Sequence, residues 1–277
     1  MKPVPFAYER PADLAAAFAL GRREDVTVKF LAGGQSLGPM LNLRLVQPDI
    51  VVDITAIAEL KRVEETPDSI LLGSCVTHAD IEDGRVPDVT NGAIRKVASG
   101  IAYRAVRNRG TIGGSLVHAD PAADWISALS ALSASVVIQG GKRKRRVPVE
   151  DFVAGVFETV LTAGELLTAI EIPRQSHGAR WGYYKTCRKT GEFAHAIGAF
   201  LHDPERSVCR AIVGAVGAKP IVLTDAGKLF NGAISSPDSL NVPFVQDAIT
   251  AHGMTDAIDQ KIHIAALRRA IAQAHAS

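Results

Sequence analysis

Hydrophobic and polar positions along this chain fall into short blocks that switch between a helical and a strand-like period. Residues 11–21 are mostly apolar, with Pro11 at the start and Gly21 at the end, which predicts a helix. Residues 27–31 and 49–54 are compact apolar runs that predict buried strands. Between them, 37–45 predicts a short helix with Ser36 as its N-cap. That strand–loop–helix–strand order implies a small α/β lobe. Further on, 70–73 predicts a strand, and 86–98 and 119–133 predict helices. The second of these places Trp125, Ile126, Leu129 and Leu132 on one side. Residues 135–139 and 146–149 predict paired strands, and 166–172 a strand closed by Pro173. After 175–178 the pattern becomes that of an antiparallel sheet, with strands at 181–186, 194–201 and 208–216. The tail is helical, in part across 237–252 and then across 256–275.

Two double glycines interrupt these blocks. One lies in Leu31-Ala32-Gly33-Gly34-Gln35-Ser36-Leu37, the other in Thr111-Ile112-Gly113-Gly114-Ser115. Paired glycines permit tight turns and close backbone approach to a ligand. Successive N–H groups in such a turn form a concave nest for anions, and Ser and Gln add side-chain donors. Two such loops suit the two sides of a pyrophosphate. Neither matches GxGxxG or GxxxxGK[ST], which argues against a Rossmann fold and a P-loop.

Composition narrows the class. The 277 residues are 47% apolar and 22% charged, an ordinary globular balance with room for two domains. The net charge of +2 excludes a chain built throughout as a polyanion binder. No apolar run is long enough for a bilayer span, and the first residues do not read as a signal peptide. Cys75, Cys187 and Cys209 are scattered without a CxxC pair, so no disulfide framework, zinc site or iron–sulfur site is expected. Cytoplasmic residence is the corresponding expectation.

Other candidate chemistry is weaker. Gly34-Gln35-Ser36-Leu37-Gly38 fits the GxSxG string of a hydrolase elbow, but Pro39 follows at once and no His or Asp stands out as a partner. His118, Asp120 and Asp124 lie close in sequence, yet Asp120 before Pro121 reads better as the opening of a helix than as part of a metal site. The basic run 142–146 reads as a solvated hairpin tip, since no aromatic residues are interleaved for base stacking. No catalytic set and no metal ligands emerge. That scarcity fits a protein whose chemistry resides in a bound cofactor.

The two glycine motifs, together with Val106-Arg107-Asn108-Arg109-Gly110 before the second and His118-Ala119-Asp120-Pro121-Ala122 after it, resemble the FAD-binding medium subunits of molybdenum hydroxylases. Carbon monoxide dehydrogenases and xanthine dehydrogenases belong to that group. Glu171-Ile172-Pro173 and the stretch from Tyr183 to Glu192 extend the resemblance over essentially the whole chain. The resemblance implies an α+β fold. It comprises a two-lobed vanillyl-alcohol-oxidase-type FAD domain over 1–176, with lobes at about 1–56 and 57–176, and a C-terminal α+β domain over 177–277. It implies FAD held non-covalently by Leu31–Leu37 and Thr111–Ser115, with further contacts at Ile101, Asp124, Leu167, Tyr183 and Lys185. Lys185 would place a cation near the flavin, and Tyr183, or its neighbour Tyr184, would lie against the ring. It also implies partners: a large subunit with molybdopterin and a small one with two [2Fe–2S] clusters, joined as a dimer of heterotrimers, with no nucleic acid involved. The other readings are a stand-alone flavin oxidoreductase and a non-catalytic assembly or nucleic-acid-binding module.

Overall fold

The computed structural model describes residues 2–234 and 236–276. It opens with β1 (Ala7–Glu9), α1 (Leu14–Gly21), β2 (Val28–Leu31), α2 (Leu37–Asn42) and β3 (Ile50–Asp53). Asp13 caps α1 by accepting from the Ala16 N–H at 2.8 Å. The three strands form a parallel sheet in the order β1-β3-β2, with Ala17, Phe18, Val52 and Ile57 in its core.

A second unit follows: β4 (Val63–Glu65), β5 (Ser69–Gly73), α3 (His78–Glu82), α4 (Ala93–Ser99), α5 (Arg104–Arg107), α6 (Ile112–His118), α7 (Asp124–Ala131), β6 (Ser135–Gly140), β7 (Arg143–Pro148), α8 (Val149–Phe152), β8 (Val153–Gly155), β9 (Glu158–Thr159) and β10 (Leu166–Pro173). Its antiparallel sheet runs β4-β5-β10-β6-β7 and carries the largest core, built around Trp125, Ile126, Leu116 and Phe152.

The remainder is β11 (Arg180–Thr186), β12 (Ala196–Asp203), β13 (Val208–Gly214), β14 (Ile221–Leu223), α9 (Ala226–Leu229), α10 (Val242–Ala251) and α11 (Ala257–Ala276). The four strands pair antiparallel in sequence order. α11 covers one face of this sheet, and the backbones approach so closely that a Cβ on Gly182 would stand 1.9 Å from the Ala270 carbonyl oxygen. The mixed α+β character follows the expectation. Among the described residues, no helix is long and apolar enough to cross a membrane.

Several elements depart from the sequence pattern. The helix expected over 86–98 is confined to Ala93–Ser99. Pro87 precedes it, Asn91 and Gly92 take left-handed φ of 51° and 88°, and the Asp88 carboxylate accepts from the Thr90 and Gly92 N–H groups. The helix expected over 119–133 begins only at Asp124, because left-handed Ala119 ends α6 and Asp120 caps a turn through the Ala122 N–H. Ser36 precedes α2, but its side chain caps nothing, and α2 stops at Asn42. Of the basic run, only Lys142 lies in the turn of the β6–β7 hairpin. From Arg143 the run lies in β7, where Arg145 bonds Glu165 and Arg146 bonds Glu171.

Candidate cofactor-binding site

The first glycine motif leaves β2 and enters α2, and the second leaves α5 and enters α6. They meet. A Cβ on Gly33 would stand 2.1 Å from the Arg109 carbonyl oxygen, so only glycine permits this approach. On the far side, the Thr77–Thr111 bridge and the His78 N–H, which donates to the Gly110 carbonyl at 2.9 Å, fix the start of the second motif.

The second motif is not a loop. Thr111 is an N-cap whose Oγ1 accepts from the Gly114 N–H at 3.0 Å, and Ile112 to Ser115 form the first turn of α6. Every backbone N–H of that turn already donates within the protein: Ile112 to Val76 O, Gly113 to Ser74 O, Gly114 to Thr111 and Ser115 to Thr111 O. This corrects the symmetrical two-nest expectation. The first motif is the one with donors to spare. Gly34 is left-handed at φ 72° and Ser36 right-handed, so the chain turns tightly between β2 and α2. Among the described residues, the N–H groups of Gly33, Gly34, Gln35 and Ser36 have no acceptor in the protein. The second motif instead contributes the Ser115 hydroxyl and the bare surface of Gly114.

Both motifs wall a cleft of about 420 Å³. Of the residues singled out from sequence, Ala32, Gly33, Gly34, Gln35, Ser36, Leu37, Ile101, Thr111, Gly113, Gly114, Ser115, Asp124 and Leu167 line it. Leu31, Ile112, Tyr183 and Lys185 are not among the lining residues. Leu31 ends β2, and Ile112 is fully buried in the core beneath α6. Tyr183 and Lys185 stand behind Asp124: the Tyr183 hydroxyl donates to Asp124 Oδ1 at 2.8 Å, and Lys185 Nζ lies 3.1 Å from Oδ2 while also donating to the Gly100 carbonyl at 3.0 Å. Tyr184, on the opposite face of β11, packs under the Arg269 guanidinium at 4.8 Å. Burial pushes the Asp124 carboxyl above its ordinary value even though Lys185 pulls it down. Burial, and then Asp124, raise the Tyr183 phenol well above its own.

Sequence reasoning missed other walls of the cleft, including Ser74, His78, Ala102, Phe157, Glu165 and Phe193. Arg107 holds the Ile101–Ala102 wall by donating to both carbonyls, at 2.9 and 3.0 Å, while forming a two-pronged pair with Glu82. The capping box of Thr77 and Asp80 was a legible signal for α3 and for His78 at its first position.

A family model described as the FAD binding domain in molybdopterin dehydrogenase matches residues 4–175. The chain belongs to this family. Among relatives, the nicotine 6-hydroxylase medium subunit of Paenarthrobacter nicotinovorans is 36% identical over 243 residues, covering 86% of this chain and 84% of that one. The carbon monoxide dehydrogenase medium chain of Afipia carboxidovorans is 33% identical over 260 residues, covering 91% and 88%. A solved chain of reconstituted CO dehydrogenase from Oligotropha carboxidovorans superposes with a TM-score of 0.85 at 30% identity, covering 100% of this chain and 99% of that one.

The cleft suits the family's cofactor. A Cβ on Gly114 would stand 2.8 Å from Thr111 Oγ1 and 3.7 Å from the Ala32 Cβ, filling the gap between the motifs. The Ser74 hydroxyl, on the cleft wall, is buried and makes no hydrogen bond of normal geometry within the protein. Free amides and hydroxyls flanked by an apolar trough match a pyrophosphate with a ring system at each end.

Proposed function

We propose that this chain is the FAD-carrying medium subunit of a molybdenum hydroxylase or dehydrogenase, cytoplasmic and assembled as a dimer of heterotrimers with a molybdopterin subunit and a [2Fe–2S] subunit. The observation that carries the reading is the packing of Gly33 on Arg109, which joins the two family motifs into one wall of a single cleft. In this reading residues 1–176 form the FAD-binding domain and 177–277 a C-terminal domain that supports it. Bound there, FAD would supply a two-electron acceptor that takes reducing equivalents from molybdenum by way of the clusters and yields them to an outside oxidant.

The residues of this chain bind and orient. The amides of Gly33–Ser36 and the Ser115 hydroxyl meet the pyrophosphate with dipoles rather than with a full counter-charge. Leu167 and Ile101 form the apolar trough. Asp124 presents its carboxylate to the cleft and is held there by Tyr183 and Lys185.

The test is an absorbance spectrum and metal analysis of the protein purified with its natural partners. Flavin bands together with iron and molybdenum are expected. Flavin with turnover in this chain alone would replace the reading with a self-sufficient flavoenzyme, and no flavin after FAD is supplied would overturn it.

A further inference from the structure

His78 stands on the cleft wall at the first residue of α3 and is held at both ends. Its backbone N–H donates to the Gly110 carbonyl at 2.9 Å. Its ring accepts at Nδ1 from the indole N–H of Trp125 at 3.1 Å. Trp125 is fully buried on α7, one residue beyond Asp124. An indole N–H can only donate, so Nδ1 must present its lone pair. A neutral imidazole with a bare Nδ1 carries its proton on Nε2. Burial, reinforced by the nearby Arg107 charge, pushes the ring's pKa down to about 4, so it is neutral at physiological pH.

Gly110 packs beside the other edge of the ring, where only glycine fits. A Cβ there would stand 2.9 Å from Cδ2 and 3.0 Å from Nε2. Among the described residues, Nε2 makes no hydrogen bond within the protein. A donor on a cleft wall, with its tautomer set from behind and no acceptor within the protein, is arranged for an acceptor in the cleft.

We propose that His78 is a cofactor-positioning residue that donates from Nε2–H to an acceptor atom of bound FAD, with Trp125 fixing the tautomer that makes this possible. This rests on the FAD reading of the cleft. A histidine serving only to fill the core would have no use for an Nε2–H without an acceptor on the cleft wall.

The two amide side chains separate these roles. His78→Gln carries an N–H donor close to the Nε2 position. His78→Asn can still accept from Trp125 but does not reach the cleft. FAD is titrated into the full-length chain and followed by flavin fluorescence, and the melting temperature is measured without FAD. His78→Asn is expected to raise the FAD Kd roughly tenfold, and His78→Gln by no more than about threefold, in line with loss or retention of one hydrogen bond. The melting temperature of His78→Asn is expected to be no lower than that of His78→Gln. Native affinity in His78→Asn overturns the proposal, and so does equal weakening by both variants. A wild-type measurement covers the case in which a variant fails to fold. ¹⁵N spectra of labelled histidine should show a proton on Nε2 alone and a shift of that nitrogen when FAD is added; an unchanged nitrogen overturns the proposal. If the wild-type chain does not bind FAD at all, the proposed function itself fails, which is a different result.

Discussion

Gly33 lies directly against the carbonyl of Arg109, closer than any side chain would allow. The contact is backbone on backbone, so neither partner can rotate away. The double glycines therefore divide their work: Gly33 joins the motifs to each other, Gly113 presses on Ser74, and Gly114 faces the cleft between them.

Two alanine substitutions should separate these roles. Gly33→Ala forces a Cβ into backbone and is expected to cost about 1–3 kcal/mol or more in stability. Gly114→Ala brings a Cβ within 2.8 Å of the Thr111 hydroxyl that caps α6, so the cap must shift; alanine's helix preference offsets part of this, and its stability loss should be about 1 kcal/mol. Its FAD affinity should nevertheless fall roughly tenfold, about 1.4 kcal/mol. Urea denaturation and FAD titration measure the two effects; undiminished FAD affinity in Gly114→Ala would place the close approach elsewhere.

The Lys185–Asp124 pair, 3.0 Å apart with both side chains largely buried, should show strong coupling. Lys185→Met leaves a buried carboxylate without its counter-ion and is expected to cost about 3–5 kcal/mol. Combining it with Asp124→Asn should recover a large part of that loss. A double-mutant cycle by denaturation reads the coupling, and simple additivity would show that the pair contributes nothing jointly.

Stability should fall in acid partly through His78. The unfolded chain takes up this proton near 6.5 and the folded chain only near 4, so between those values the unfolded state binds more protons and stability rises with pH. The contribution is complete above about 6.5 and is lost as the pH falls towards 4, amounting to roughly 3 kcal/mol at 1.36 kcal/mol per unit. Subtracting the stability–pH curve of His78→Gln from that of wild type isolates the term; a flat difference would contradict it.

Arg107→Lys should weaken the cleft despite keeping the charge. The guanidinium serves Glu82 and the carbonyls of Ile101 and Ala102 at once, and an ammonium cannot reproduce that fork. A stability loss of about 1–3 kcal/mol is expected from the charged hydrogen bonds removed, with a matching fall in FAD affinity. Retention of both by lysine would show that charge alone suffices.

What could be read in the sequence was local. The strands at 28–31, 50–53 and 166–173 announce themselves as apolar runs, and the glycine motifs stand out as residue types. The second motif misled because glycine suggests a loop, whereas the Thr111 hydroxyl starts a helix through it. Pro87, Asn91 and Gly92 shortened the helix expected over 86–98 for an equally local reason that the apolar spacing concealed. The Trp125–His78 and Tyr183–Asp124 bonds join residues 47 and 59 positions apart. No periodicity encodes such meetings: the capping box locates His78 on α3 but not its bond with Trp125, and nothing local pairs Tyr183 and Lys185 with Asp124.

The anchoring of Asp124 by β11 also sets an order of events during synthesis. A nascent chain that has emerged only to residue 176 holds both glycine motifs but lacks Tyr183 and Lys185, so the carboxylate beside the cleft has neither its hydroxyl nor its cation. On the ribosome the site is finished late, by strands that contain no glycine motif, and a chain cut short before them would take up its ligand more weakly than its intact motifs suggest.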